Sequence, residues 1–396
     1  MANNKLTVGV IFGSRSVEHD VSIVTAQQIM QAMNPNKYEI VPLYITRDGR
    51  WLSGPGLRDI QNYQLDDISS VATVYEVMFS SNTRYPGVIY PPLAGRLQKN
   101  TFQRIDVAFC SVHGTHGEDG TLQGLLEMAN IPYIGTGVLA SAIANHKIVA
   151  KALLKQYDIP VLEAVAFTRR EWLVNPTPIL ERITEQGYPA FVKPATLGSS
   201  IGIAKIENED QARLHIDVAA SLAQDLLVER ALVGGVEINC SVMGNIEIEA
   251  SVLEQPLSGE AFLTYDEKYM RGKGGKSAGM KGADRIIPAP LSPELTAKIQ
   301  DIAKRAFLAI QGQGIARIDF LVKPDLGEVW LNEINTLPGS LSFYLWEKSG
   351  KTAAQVVDEL IQLGLQRHAE KRQTTFDYRS KLLEHAATRG LAGVKK

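Results

Sequence analysis

The chain has 396 residues, too many for one ordinary core and suited to two or three domains of roughly 100–200 residues each. Apolar residues make up 45% and charged residues 21%, a profile that excludes an intrinsically disordered chain. Lys plus Arg number 41 against 43 Asp plus Glu, and the net charge of −2 argues against a chain built to coat nucleic acid or an anionic membrane.

Residues 5–12 form a strand-length apolar run that meets Gly13 at once, not a secretory leader. No window approaches the ~18 consecutive apolar residues that a bilayer span needs. Cys110 and Cys240 sit in apolar runs and read as buried thiols, and no Cys/His cluster has zinc spacing. A reduced, cytoplasmic protein is expected.

In chain order, 6–12 and 40–45 read as short buried strands, with Val17, Val21 and Val24 at helical spacing between them. A third strand covers 105–112 and a helix 120–129. Strand–helix–strand order predicts a parallel sheet with helices on its faces, whose ligand crevice lies beyond the carboxyl ends of the strands. From about residue 145 the texture changes. A helix at 146–156 leads to strands at 164–167, 189–193, 201–206 and 226–229, with a charged helix at 209–222. Strands at 237–243, 246–253, 316–322 and 328–334 follow, with a long helix at 293–310. The expected division is 1–140 as an N-terminal α/β unit, 141–235 and 236–365 as two α+β units, and 366–396 as a tail. That tail carries eight Lys/Arg against three Asp/Glu and reads as a solvated helix or frayed extension. The segment 266–285 holds five glycines and six Lys/Arg, and reads as either a plain surface loop or a lid over phosphates.

Three constellations carry chemistry. The first is Ala316-Arg-Ile-Asp-Phe-Leu321 with Val329-Trp-Leu-Asn-Glu-Ile-Asn-Thr-Leu-Pro-Gly339. Period-two alternation puts Arg317 and Asp319 on one face of a strand, and Glu333 and Asn335 on one face of the next. Two carboxylates and an amide oxygen are hard ligands suited to Mg²⁺ or Mn²⁺; a buried Arg–carboxylate pair is the other reading. The second is basic: Lys147, Lys193 and the Gly198-Ser-Ser200 turn, whose backbone N–H groups can cradle phosphate oxygens. The Walker spacing is missing, and Gly13-Ser14-Arg15 lacks the later glycines of a dinucleotide fingerprint. Glu229 and Glu237 are carboxylates suited to an adenine amino group and a ribose hydroxyl. The third is His113-Gly-Thr-His-Gly-Glu-Asp-Gly-Thr-Leu-Gln-Gly124, where glycines press the backbone close to a ligand and a histidine can orient its carboxylate or phosphate.

Taken together, and with Gly13-Ser-Arg-Ser-Val-Glu-His-Asp-Val-Ser22, these motifs resemble the D-alanine–D-alanine ligase family of the ATP-grasp superfamily over roughly residues 5–340. The resemblance implies a Rossmann-like N-terminal domain followed by two ATP-grasp subdomains. It implies ATP and two Mg²⁺ (or Mn²⁺), an acyl-phosphate intermediate, D-alanine as substrate, a homodimer, and a place in peptidoglycan synthesis, with neither nucleic acid nor membrane as partner. By the same resemblance Asp319, Glu333 and Asn335 hold the metals. Lys147, Lys193, Ser199, Ser200 and Lys268 serve the phosphates, while Glu229, Leu232 and Glu237 serve the nucleoside. Glu18 takes the first substrate's ammonium with His113 beside its carboxylate, Ser199 and Tyr269 join Glu18 as the lid closes, and Arg317 with the Gly339 N–H forms the oxyanion site.

The chain departs from the family at the acceptor end. Tyr344 stands where a serine for the second carboxylate is expected, leaving Ser340 or Ser342 as substitutes. A residue is inserted between Leu232 and Glu237, Asn145-His precedes Lys147, and Leu197 replaces a glutamate. The alternative is therefore a ligase of the same mechanism with another acceptor: D-serine, D-lactate, an L-amino acid or an amino-acid-like metabolite. A non-catalytic nucleotide binder would show a broken donor set or lack Arg317, and this chain keeps both.

Overall fold

The computed structural model describes residues 5–93, 99–198, 201–257, 285–376 and 380–389. It contains three sheets in sequence order. The first holds β1 (Leu6–Gly13), β2 (Tyr38–Ile45), β3 (Trp51–Ser53), β4 (Tyr75–Ser80), β5 (Gly87–Tyr90), β6 (Thr101–Arg104) and β7 (Val107–Ser111), in the order β6-β5-β4-β3-β2-β1-β7. Its centre is parallel, with β1 flanked by β2 and β7. Seven of the eight β1 residues are buried, as a strand covered on both faces requires. Helix α1 (His19–Ala32) buries Val21, Ile23, Ala26, Ile29 and Met30 on its core-facing side. The α/β class expected for this unit is present, with an antiparallel meander of β3 to β6 added at the far edge. Those strands are three to six residues long, and their burial ranges from mostly buried in β3 to wholly exposed in β6, so they carry no sustained apolar alternation for a sequence reading to detect.

Helices α2 (Thr121–Ala129), α3 (Val138–Asn145) and α4 (Lys147–Gln156) lead to the second unit. There β8 (Ala164–Thr168), β9 (Ala190–Pro194), β10 (Ala204–Ile206) and β11 (Asp225–Arg230) pair antiparallel in the order β10-β9-β11-β8. Helices α5 (Arg169–Val174), α6 (Thr177–Gln186) and α7 (Glu209–Leu222) cover one face. Thr168 and Glu171 close a reciprocal capping box at α5, and the Asn208 side chain accepts from the Gln211 N–H at the start of α7.

The third sheet comprises β12 (Val236–Gly244), β13 (Glu249–Pro256), β14 (Arg285–Ile286), β15 (Gly314–Lys323) and β16 (Glu328–Asn335), ordered β14-β13-β12-β15-β16 and antiparallel throughout. Helix α8 (Pro293–Ala309) lays Leu295, Ile299, Ile302 and Ala306 against Ile238, Val242, Ile318 and Phe320 of the sheet. Helices α9 (Phe343–Lys348), α10 (Ala353–Lys371) and α11 (Leu382–Arg389) complete the chain.

Helix α10 continues past residue 366, and its last turns dock. The Arg367 guanidinium lies 4.0 Å over the Tyr133 ring and donates to the Tyr133 and Gly135 carbonyls, while Lys371 pairs with Glu127. This holds the 133–135 segment against the start of β15. Gly314 there has φ +80°, and a Cβ on it would meet the Gly135 Cα at 2.8 Å. Both conformation and space demand glycine. Gly314→Ala is expected to destabilise the protein by about 2–5 kcal/mol, read as a lower urea midpoint at unchanged m-value.

Candidate active site

The ladder of the third sheet aligns four polar residues across four strands. Glu254 on β13 faces Asn239 on β12, Asn239 faces Asp319 on β15, and Asp319 faces Glu333 on β16. Arg317 and Asn335 face each other one step along, so the period-two expectation for the first constellation holds in space. The register shifts after Asp319, because Phe320 pairs with Leu331 and leaves Asn332 as an extra residue. That bulge lets the Asn332 Oδ1 accept from the Lys193 Nζ at 3.2 Å.

Arg317 grips Asp319 with both arms, Nε to Oδ1 at 2.6 Å and Nη2 to Oδ2 at 2.7 Å, and the Asn335 Nδ2 donates to the same Oδ2 at 2.9 Å. Burial works against the charged guanidinium, but Asp319 outweighs it and holds the Arg317 pKa well above its ordinary value. Lys147 Nζ lies 4.0 Å from the Glu333 Oε2 and donates to the Leu197 carbonyl at 2.8 Å. The ion pair and the oxygen-donor set therefore occupy one place. Among the described residues no cluster of three or more His, Cys, Asp or Glu side chains suits a metal. The donor set rests instead on two carboxylates and the Asn335 amide. These are the hard oxygens that Mg²⁺ accepts when phosphate oxygens and water complete its shell.

A cavity of about 490 Å³ opens between the second and third sheets. Lys193, Glu229, Leu232 and Glu237 all line it, together with Phe191 and Leu321. Glu229 is only 2% exposed and meets two lysines, Lys193 at Oε2 and Lys151 at Oε1, the latter at 2.5 Å. Burial alone would raise its pKa, yet the two ammonium groups draw it down to about 2. Its carboxylate is thus committed to orienting lysines. Lys151 escaped the sequence reading, although it lies four residues after Lys147 on the same face of α4, as did the apolar walls Phe191 and Leu321.

The third constellation closes a small space of about 30 Å³ lined by Glu18, Gly114, Glu118, Lys147, Gly198 and Glu333. A Cβ on Gly114 (φ +68°) would come within 2.5 Å of the Glu18 Oε2, so glycine lets that carboxylate reach the site. His113 Nε2 bonds the Thr25 Oγ1 at 3.0 Å, its Nδ1 stands 3.6 Å from the Glu118 Oε1, and Thr25 also accepts from the Ser340 N–H at 3.3 Å. Burial pushes His113 down to about 4, and burial followed by the Glu333 charge pushes Glu118 up to about 8.

Beyond Gly339 the backbone turns sharply. Ser340, Leu341 and Ser342 hold φ of 50°, 48° and 50°, a left-handed run that non-glycine residues rarely adopt. The Ser342 hydroxyl is fully buried, and Ser340 faces Thr25 instead. Tyr344 donates its hydroxyl to the Glu254 Oε1 at 2.5 Å, and the Arg285 guanidinium lies 4.3 Å over its ring. Burial first, and then Glu254, raises the Tyr344 pKa far above its ordinary value. Ser199, Ser200, Lys268 and Tyr269 lie outside the described residues, as does all of 266–285 except Arg285.

Three sheets, with a cavity beside an arginine–carboxylate face, have the layout that the resemblance to the ATP-grasp ligases implies. Family models described as the N-terminus and C-terminus of D-ala D-ala ligase match residues 7–136 and 153–362. A D-alanine–D-alanine ligase of Thermosipho africanus is 36% identical over 379 residues, covering 96% of this chain and 98% of the relative. The solved D-alanine–D-alanine ligase of Coxiella burnetii matches with TM-score 0.76 at 28% identity, over 93% of this chain and 96% of that one. The VanG D-Ala:D-Ser ligase of Enterococcus faecalis matches with TM-score 0.77 at 29% identity, over 91% and 100%. The chain belongs to the D-alanine–D-alanine ligase family.

Two outcomes follow from the electrostatics. Glu229→Gln leaves two buried lysines without their counter-charge and is expected to cost about 3–5 kcal/mol, measured by chemical denaturation. His113 has a folded pKa near 4 against its ordinary 6.5, so the unfolded chain binds its proton first as pH falls. The His113 contribution is therefore lost between about pH 6.5 and 4, against the opposite slope from Glu118, and His113→Gln is expected to remove that loss from the stability–pH curve relative to the parent.

Proposed function

We propose that this chain condenses two D-alanine molecules at the expense of ATP, supplying D-alanyl-D-alanine for peptidoglycan. The observation that carries the reading is the single polar face uniting Arg317, Asp319, Glu333 and Asn335 beside the cavity of Lys193 and Glu229. In this reading 1–140 binds the donor, and 141–235 with 236–365 encloses the nucleotide under the 266–285 segment. The protein works as a cytoplasmic homodimer. No helix among the described residues is long and apolar enough to cross a membrane.

The donor's ammonium pairs with Glu18, and its carboxylate lies near His113, which is neutral at pH 7 and so serves as a polar contact without a charge. Adenine enters between Phe191 and Leu321, its ribose faces Glu237, and Lys147 and Lys193 meet the phosphates, with Ser199, Ser200 and Lys268 assigned there as well. Asp319, Glu333 and Asn335 would hold Mg²⁺, which would neutralise charge on the transferring phosphoryl group. The donor carboxylate takes the γ-phosphoryl group, ADP leaves, and the acceptor amine then displaces phosphate from the acyl carbon. Arg317 and the Gly339 N–H stabilise the oxyanion of that second step, and Ser199 with Tyr269 close over Glu18.

A second reading keeps the mechanism and changes the acceptor to D-serine, D-lactate, an L-amino acid or a related metabolite; the Tyr344–Glu254 contact at the expected serine position favours it. A coupled ADP-release assay over a panel of donors and acceptors separates the two. Turnover with D-alanine alone is expected, and its absence beside turnover with another acceptor moves the assignment to the second reading. Asp319→Asn is expected to lower kcat at least about a hundredfold with near-ultraviolet circular dichroism unchanged. Asn is the informative substitution because it keeps an oxygen for Arg317, whereas Ala strands a buried guanidinium.

A further inference from the structure

The polar row has two ends, and only one faces ATP. Glu333 and Lys147 mark the phosphate end, and Glu254 marks the other, two strands beyond Asp319. Glu254 is 2% exposed and accepts from three donors: Asn239 Nδ2 at 3.1 Å, Tyr344 Oη at 2.5 Å and Arg285 Nη1 at 3.1 Å. Arg285 opens β14, where pairing with Pro256 of β13 fixes its backbone. Its guanidinium is held edge-on by Glu254 and face-on by the Tyr344 ring at 4.3 Å. Both Tyr344 and Glu254 interact electrostatically with Arg317, so this assembly borders the oxyanion site.

We infer that Arg285 holds the carboxylate of the acceptor, a short-chain α-amino acid with a free carboxylate, and that Glu254 and Tyr344 position it. The inference rests on the acyl-phosphate reading above. An amine that attacks beside Arg317 brings its own carboxylate with it, and that anion needs a cation away from Lys147 and Lys193. Arg285 is a cation at that end of the row. Two strand spacings separate Glu254 from Asp319, about 10 Å, which matches one small amino acid with a hydrogen bond at each end. A planar guanidinium clamped by a carboxylate and stacked on a ring is preorganised for two-pronged carboxylate recognition. Tyr344 is then no defect at a serine position. Its hydroxyl anchors Glu254 and its face orients Arg285.

The test compares D-alanine, D-alaninamide and hydroxylamine as acceptors, at fixed low D-alanine donor and saturating ATP, in the full-length protein and in Arg285→Ala. Hydroxylamine traps the acyl phosphate as a hydroxamate and carries no carboxylate. In Arg285→Ala the KM for acceptor D-alanine is expected to rise by about ten- to a hundredfold, the magnitude of a lost charge-assisted contact. The preference for D-alanine over D-alaninamide falls by the same factor, as does the ratio of D-alanine to hydroxylamine turnover. Arg285→Lys is expected to recover part of that preference, because it restores charge without the planar fork. Equal loss with all three acceptors, or an unchanged preference for D-alanine over its amide, overturns the assignment. Should the alanine variant precipitate, Arg285→Gln carries the same comparison. A parent protein that forms no hydroxamate overturns the acyl-phosphate reading and this assignment with it, whereas hydroxamate with an unaltered preference overturns the assignment alone.

Discussion

The backbone ladder joining β13, β12, β15 and β16 is the constraint on which the site depends. Strand side chains alternate with period two, so a one-residue slip in any pairing would send its polar residue into the apolar face under α8. In the observed register Ile318 and Phe320 face the core, while Arg317 and Asp319 face the site. The same strand thus supplies cohesion on one side and chemistry on the other. The register shift at Asn332 falls where β16 is also held from outside. Leu331 there donates to the Pro160 carbonyl at 2.8 Å and bridges to Val161, ahead of the second sheet. The bulge re-aims Asn332 toward Lys193 without loosening the strand, and so links the nucleotide cavity to the carboxylate face.

The charges gathered on this face do not hold the fold together. Removing Lys151, Lys193, Glu229, Arg317 and Asp319 from water costs several kcal/mol per ion, and pairing at best offsets that. The left-handed run of Ser340, Leu341 and Ser342 adds roughly 1–3 kcal/mol of strain at each residue. Cohesion comes from apolar packing elsewhere: α8 against the third sheet, and α10 against the first. Trp346, Val356, Leu360 and Ile361 share one cluster with Val8, Phe12, Ile29 and Phe109 of the first unit. The last helices therefore knit the donor-side unit to the sheet that carries Arg317, and the strained turn lies between them under tension from both.

Much of this was legible from residue order. Runs with clear period two or 3.6 located the parallel centre, α7, α8 and the strands of the third sheet to within a few residues. The short motifs brought Lys193, Glu229, Leu232 and Glu237 to one cavity wall, and Arg317, Asp319, Glu333 and Asn335 to one face. The meander of β3 to β6 was not legible, because strands of three to six residues are too short to carry a sustained apolar pattern. Phe191 and Leu321 were hidden for another reason: an apolar cavity wall has the same composition as a core. Lys151 was not legible, because a lysine at helical spacing in α4 carries no sign that the fold buries it against Glu229. Tyr344 stood out as an anomaly in sequence, but Glu254 and Arg285, 90 and 59 residues away, connect to it only through sheet register and helix placement.

The separation of the two ends of the row has an evolutionary and chemical consequence. Phosphoryl transfer to a carboxylate makes the same electrostatic demands whatever amine follows, so Asp319, Glu333, Asn335 and Arg317 have little latitude. On the proposed assignment, acceptor recognition sits two strands away, on β13, β14 and α9, where Tyr344 and Glu254 act electrostatically on Arg317. Substitutions there alter the shape and charge offered to the second substrate while the donor set keeps its register. A chain can therefore keep Arg317, Asp319, Glu333 and Asn335 in register and still carry tyrosine at position 344, where the family resemblance leads one to expect serine. Each cation in the site, whether Arg317, Arg285 or the Lys151–Lys193 pair, is held by a carboxylate placed opposite it by the fold, and the sum of −2 conceals a centre built from opposed charges a few ångströms apart.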